Sequence, residues 1–310
     1  MSNVRTRIMF AVVAIPGVLL LAWLGGYAWA LFVAAVLTAS LIEFAAMARA
    51  KGVAPQTATM IAAGLALLLV FLHERLGADI PALLGQGIVW PLQWQAFLWI
   101  LMLFMAASLL IELFRNRPSP LLNVAVTVLG TVYIGLFLGS AVGIREIFTV
   151  HEFHVGPVFG TADLDARQFA QLDRWGGYTV MAMLATIWIC DTAAYFGGKA
   201  MGRHKLFLRV SPNKTWEGAI WGFTAALAAM TVAHLLLLDY LSLPQALIIG
   251  VIVGTVGQLG DLVESLLKRD AGVKDSSSLL PGHGGVFDRF DSFIFVSPAV
   301  FLYLDFIVFA

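Results

Sequence analysis

Long apolar runs, each broken by a short cluster of glycine, proline or charge, set the rhythm of this chain. Nine such runs fall near 8–24, 27–48, 57–73, 94–114, 121–145, 178–198, 216–238, 244–267 and 290–309. A bilayer crossing needs about 20 mostly apolar residues, and these runs are of that order. Their apolarity is continuous rather than alternating, which argues against a transmembrane barrel. Backbone polar groups in hydrocarbon must be satisfied within the segment, so the runs are predicted to be helices. The pattern predicts an all-α polytopic membrane protein with about nine transmembrane helices. The shortest break is Gly25-Gly26. The first run, with Arg5 and Arg7 before it and Ala28-Trp29-Ala30 after it, imitates a secretory leader. Bulky Trp23, Tyr27 and Trp29 at that junction, and the apolar run that follows directly, favour an uncleaved first helix.

Composition agrees. The chain is 60% hydrophobic and 12% charged, where a soluble domain carries about 25% charged residues. Net charge is zero, and no nucleic-acid partner is expected. The single cysteine, Cys190, excludes an internal disulfide framework and a cysteine-rich zinc site. Charge placement is more informative than its total. With the N-terminus in the cytoplasm, nine spans put fifteen of the 19 lysines and arginines on the cytoplasmic side. Arg75, Arg145, Arg167 and Arg174 remain outside, and the C-terminus is expected in the periplasm. Two regions are expected: 1–175, with N-terminal helices and a periplasmic loop, and 176–310, a C-terminal catalytic region. The stretch 146–177, with Glu146, Glu152, Asp163, Asp165 and Asp173, reads as a solvated outer loop, and its His151/His154 pair is weak evidence for a metal. Glu43 and Glu112 fall near cytoplasmic helix ends, where Arg49 and Arg115 can pair with them or reach the interface.

Two polar clusters stand out, both on the expected cytoplasmic side. The first runs from Asp191 through Tyr195, Gly197-Gly198 and Lys199 to Lys205, then Ser211-Pro-Asn-Lys214-Thr-Trp-Glu217-Gly. Asp191 and Tyr195 share a helix face. Ordinary positive-inside charge explains part of the basic loop. The Ser211 run reads as a helix start, with Ser211 or Asn213 as cap, Glu217 in the first turn and room for a phosphate near Lys214. In the second cluster Asp261, Glu264, Ser265 and Lys268 fall on one helical stripe. A carboxylate within an apolar run costs about 2.5–3.5 kcal/mol on insertion scales. The bland account of Asp261 is pairing with Lys268. The other account brings Asp288, which with Asp291 stands at the next helix start, back toward Asp261 across the glycine-rich 281–285 segment. Two carboxylates from separate segments suit magnesium, which completes its shell with phosphate and water oxygens. His283, a lone histidine, is read as positioning a phosphate or carboxylate. No Walker-type loop, Gly-x-Ser-x-Gly elbow or His-Glu-x-x-His is present.

With these residues in place, the chain resembles the phosphatidate cytidylyltransferases (CDP-diacylglycerol synthases). That pattern is Ser-x-x-Lys-Arg, four residues, Lys-Asp, five residues, Pro-x-His-Gly-Gly, two residues, Asp-Arg-x-Asp. Ser265, Lys268, Arg269, Lys274, Asp275, Pro281, His283, Gly284, Gly285, Asp288, Arg289 and Asp291 fill every fixed position. The Asp191…Lys199 and Ser211…Gly218 elements look like the same family, so the specific likeness covers about 186–291. It implies that CTP and phosphatidic acid give CDP-diacylglycerol and pyrophosphate in phospholipid biosynthesis, at a cytoplasm-facing site in the inner membrane. It implies magnesium on Asp261 and Asp288, with a potassium ion as a further candidate, and a homodimer.

The chemistry expected is charge neutralisation and positioning, because a phosphate monoester is largely ionised at neutral pH. Lys268, Arg269, Lys274 and Arg289 are the candidates for the lipid phosphate and pyrophosphate. Lys199, Lys205 and Lys214 are those for the triphosphate. Asp191, Ser211, Glu217, Ser265, Asp275, His283 and Asp291 complete the candidate substrate site. A transporter using Asp191, Asp261 and Glu264 is the first rival, but the halves show no paired broken helices. Other lipid-phosphate enzymes are the second. The Asp-Gly-x-x-Ala-Arg motif of CDP-alcohol phosphotransferases is absent.

Overall fold

The computed structural model describes residues 2–84, 90–148, 166–280 and 284–309. Helices α1 (Ser2–Leu24), α2 (Gly26–Ala50), α3 (Thr57–Val70), α4 (His73–Leu84) and α5 (Gln93–Arg115) come first. Helix α6 (Pro120–Gly130) passes through a π-helical turn (Thr131–Leu136) into α7 (Phe137–Glu146). Helix α8 (Ala166–Met201) leads to a hairpin of β1 (Lys205–Phe207) and β2 (Ser211–Thr215), and then to α9 (Trp216–Leu236). Helix α10 (Leu243–Ile252), a π-helical turn (Val253–Gly257) and α11 (Gln258–Asp270) form one run. Helix α12 (Phe287–Tyr303), extended by a π-helical turn (Leu304–Val308), ends the described chain.

Among the described residues seven helices or helix runs are long and apolar enough to cross a membrane. An eighth candidate is the pair α3 and α4, bent by 86° at residues 71–72. The apolar part of α1, Ala11–Leu24, is shorter. Each of the nine apolar runs in the sequence falls on one of these. The protein is an all-α multi-pass membrane protein, and the one small sheet among the described residues is the antiparallel hairpin.

Helices α2, α7 and α12 make the centre. Trp29, fully buried, donates from Nε1 to the Ala141 carbonyl at 3.1 Å and meets Phe293 edge-on. Tyr133 packs edge-on against Phe287 and Phe295. These contacts place the start of α12 against the N-terminal half.

The break between α1 and α2 is built from its two glycines. Gly25 (φ 63°) and Gly26 (φ 51°) take left-handed backbone, which favours glycine. The freed carbonyls of Ala22 and Trp23 accept from Arg145 at 2.8 and 3.1 Å, and Gly26 N donates to Glu146 at 3.0 Å. Arg145 is fully buried and also pairs with Asp173 at 3.0 Å; Arg75 pairs with Glu146 at 2.7 Å. Glu146 is therefore a buried structural ligand rather than part of a solvated loop, and α8 begins at Ala166, well before 177. His151 and His154 lie outside the described residues.

Glu112 does pair with Arg115, at 2.9 Å, and also accepts from Gln56 and Asn123. Arg49 bonds Thr57 instead of Glu43. Glu43 is buried and has other partners, described below.

Candidate active site

Close helix crossings bring the two polar clusters together. Helices α8 and α9 meet through small residues: a Cβ at Gly218 would lie 2.7 Å from the Ala194 carbonyl oxygen, and one at Gly222 would lie 3.0 Å from that of Cys190. Small residues at a membrane helix interface allow such backbone approach. Between the two helices the hairpin folds back, pairing Lys205 with Thr215 and Phe207 with Ser211. Thr215, not Ser211 or Asn213, caps α9: its hydroxyl accepts from Gly218 N at 3.2 Å. The stretch that sequence reading assigned to a helix start is mostly strand, because chain reversal after α8 gives it a partner in β1.

Helices α11 and α12 approach equally closely. A Cβ at Gly260 would sit 2.6 Å from that of Phe295 and 3.2 Å from the Asp291 carbonyl oxygen. The π-helical turn just ahead of α11 adds a local change in helical register, and Gln258 returns a hydrogen bond to the Gly254 carbonyl at 2.6 Å. Such turns recur near functional sites.

Between these helix pairs lies a cavity of about 750 Å³. Asp191, Tyr195 and Lys199 of α8, Lys214 of β2, Asp261 and Lys268 of α11, Asp275 of the following loop, and Asp288, Arg289 and Asp291 of α12 all line it. Two stretches far apart in sequence thus share one wall-to-wall polar site. Lys214 Nζ bridges them, 2.6 Å from Asp261 Oδ2. Asp261 therefore pairs with Lys214 and not with Lys268. Lys268 stands 2.6 Å from Glu264 and 2.8 Å from Asp288. Asp288 also accepts from Ser276 N at 3.0 Å and from Gly285 N at 2.7 Å.

The carboxylates are grouped. Asp261, Glu264 and Asp291 each offer an oxygen within 4.8 Å of the others. Glu264 is fully buried, and Lys268 is its ion-pair partner among the described residues. Three carboxylates grouped this closely suit a hard cation with oxygen ligands. Asp288 faces the same cavity, but its oxygens are taken by Lys268 and two backbone N–H groups. The residues present fit a divalent cation, with Asp261 in the three-carboxylate set and Asp288 adjoining it through Lys268.

Several other sequence candidates support the cavity from outside its lining. Glu217 accepts from the backbone N–H groups of Arg203 and His204 at 3.0 and 3.2 Å, tying down the turn before β1. Arg269 reaches the Val210 and Val273 carbonyls, stitching the hairpin to the end of α11. Ser265 Oγ lies 3.4 Å from Asp261 Oδ1. Ser211 begins β2 and Lys205 begins β1, while Lys274 is exposed. His283 lies outside the described residues. Gln258, Trp188, Asn213 and Thr215, none of them a candidate site residue from sequence, also line the cavity. Gln258, one helical turn before Asp261, carried a signal: it is another polar residue on the acidic stripe.

Fold and cavity define a multi-pass membrane protein with a polar, cation- and carboxylate-lined site between its helices. The profile of the Cytidylyltransferase family matches residues 5–307, and the chain belongs to that family. A phosphatidate cytidylyltransferase of Synechocystis sp. is 33% identical over 96% of this chain and 95% of its own length. Proteins of the same name from Bacillus subtilis and Staphylococcus saprophyticus are 44% and 50% identical, over 44% and 39% of this chain and 51% and 46% of theirs.

Proposed function

We propose that this protein is a phosphatidate cytidylyltransferase, converting CTP and phosphatidic acid to CDP-diacylglycerol and pyrophosphate. One observation carries the reading: Lys199, Lys214, Lys268 and Arg289 share a single cavity with Asp191, Asp261, Asp288 and Asp291. Bringing two polyanions into contact is the physical obstacle, and cations interleaved with carboxylates meet it.

In this reading a phosphate oxygen of phosphatidate attacks the α-phosphorus of CTP. The bond from that phosphorus to the β-phosphate oxygen breaks, and pyrophosphate leaves with the bonding pair. Phosphatidate arrives largely ionised, so no strong base is needed. Lys199 and Lys214 would hold the triphosphate, and Lys268 and Arg289 the lipid phosphate or the departing pyrophosphate. Catalysis is then orientation plus fixed positive charge where negative charge develops. Asp261, with Glu264 and Asp291, would hold magnesium, with Asp288 adjoining. Magnesium there would supply counter-charge to phosphate oxygens. The acyl chains would stay in lipid between helices.

The further parts of the proposal are an inner-membrane location with the cavity facing the cytoplasm, a homodimer, and potassium as a second ion. The lysine and arginine asymmetry supports the orientation. The deciding experiment incubates purified protein with labelled CTP and phosphatidate, with and without magnesium, in sodium or potassium salt. Labelled liponucleotide that requires both substrates supports the proposal, and its absence at every ion composition rejects it. Light scattering in detergent tests the dimer.

A further inference from the structure

Glu43 lies in α2, remote in sequence from every candidate site residue, and is 4% exposed. Among the described residues its carboxylate takes four hydrogen bonds. Oε2 accepts from Ser276 Oγ and Phe287 N, both at 2.8 Å. Oε1 accepts from Ser277 Oγ at 2.6 Å and Val286 N at 3.0 Å. Among the described residues no lysine, arginine or histidine forms an ion pair with it. A buried carboxylate without a cation is costly unless dipoles are aimed at it. Here those dipoles include the backbone N–H groups at the start of α12, where a helix favours negative charge.

The donors come from both arms of one loop, 276–277 and 286–287. Asp288 grips the same two arms from the other side, through Ser276 N and Gly285 N. Ser276 is shared: its hydroxyl serves Glu43 and its N–H serves Asp288. At Gly285 a Cβ would collide with Ser276 Oγ and the Glu43 carboxylate, so the packing there leaves no room for a side chain. Asp275 and Asp288–Arg289, which line the cavity, flank these two anchored arms directly.

We infer that Glu43 is a positioning residue for the reaction, a buried anionic clamp that holds the arms 276–277 and 286–287 together and sets Asp288 and Arg289 against the cavity. The inference rests on the proposed cytidylyltransferase reading. Its role is charge and geometry at the base of the loop, with no contact to substrate. The CTP-side lysines, Lys199 and Lys214, belong to α8 and β2 and do not touch it. Loss of the clamp should therefore lower turnover while sparing the KM for CTP.

The test uses the full chain in detergent, with kinetics and hydrogen exchange measured on the same samples. Glu43→Gln keeps the shape but turns an amide toward donors. It should cut kcat by roughly tenfold or more, leave the CTP KM within about twofold, and speed exchange in peptides covering 276–287 while other helices keep their protection. Glu43→Asp, which retains the charge, should recover part of the loss. The double variant Ser276→Ala/Ser277→Ala removes donors rather than the anion and should reproduce the same signature, and it decides the matter if Glu43→Gln does not insert. Wild-type kcat in a folded variant overturns the inference, as does a loss of kcat accompanied by faster exchange throughout the protein. If the wild type itself makes no liponucleotide, the functional reading fails, while the exchange data still report whether the clamp exists.

Discussion

Lys214 Nζ lies 2.6 Å from Asp261 Oδ2, joining a strand of the hairpin to a helix 47 positions later in the chain. Both side chains are about 30% exposed, open to the cavity yet shielded from bulk water. An ion pair in that setting is a poor stabiliser but a ready binding element, because an incoming polyanion can replace the carboxylate as partner of the lysine.

Lys214→Met should accordingly insert and fold normally while its kcat/KM for CTP falls by roughly tenfold to a hundredfold, the range of about 1.5–3 kcal/mol for a charge-assisted hydrogen bond. Asp261→Asn should abolish turnover in a folded protein. Steady-state kinetics over a CTP series check this, and a Lys214→Met enzyme with wild-type kcat/KM would remove Lys214 from the triphosphate site.

How much of this was readable beforehand divides by length scale. The helical segments were legible because hydrocarbon leaves the backbone no alternative, and each apolar run did become a helix. The partner of Asp261 was not. Helical spacing pointed to Lys268, seven residues on, but the tertiary crossing of α8 and α9 delivered Lys214 instead. Ser211–Thr215 read as a helix cap because its residue types suit one, and hairpin pairing overrode that preference. Glu43 was invisible as a site neighbour, since its partners lie more than 230 residues away and are mostly serine hydroxyls and backbone groups. Buried Glu146 misled for a similar reason: next to a hydrophilic stretch it looks solvated, and only the freed backbone at Gly25-Gly26 explains it.

Glu264 supplies a second prediction. It is fully buried beside Lys268 and grouped with Asp261 and Asp291. Glu264→Gln preserves volume and removes the charge. The magnesium concentration for half-maximal activity should rise by roughly tenfold or more, the scale on which supporting groups tune metal affinity. Lys268 keeps Asp288 as partner, so folding should survive. A magnesium titration of activity, run beside a thermal melt, separates the two effects. An unchanged magnesium requirement would exclude Glu264 from the ion site.

Arg145 predicts a stability effect with no effect on chemistry. Its guanidinium satisfies the Ala22 and Trp23 carbonyls and pairs with Asp173, all remote from the cavity. Arg145→Met would leave two backbone acceptors to find other donors, at about 1–3 kcal/mol each if they remain buried. Gly25→Ala should destabilise by another route, since its Cβ would overlap the same guanidinium and its φ of 63° disfavours a side chain. Both variants should unfold at lower temperature in detergent, yet show wild-type KM for CTP when assayed well below the transition. A changed KM would mean that this end of the molecule communicates with the site.

Gly260 links packing to chemistry most directly. It is next to Asp261, on the face of α11 that meets α12, where a Cβ would fall 2.6 Å from Phe295 Cβ. Neither helix can yield without moving a carboxylate, because Asp291 is one turn before Phe295 and its own carbonyl lies 3.2 Å from the same point. Gly260→Ala should therefore push α11 and α12 apart and separate Asp261 from Asp291. Overpacking of this kind costs about 1–3 kcal/mol in stability. The larger consequence should be catalytic, since misplacement near 1 Å is enough for roughly a hundredfold loss. The comparison with Gly17→Ala calibrates it, because Gly17 has no neighbour within 4 Å of its would-be Cβ and should tolerate the same substitution. If Gly260→Ala keeps both wild-type kcat and the wild-type magnesium requirement, the close approach of α11 and α12 is not what brings the carboxylates together.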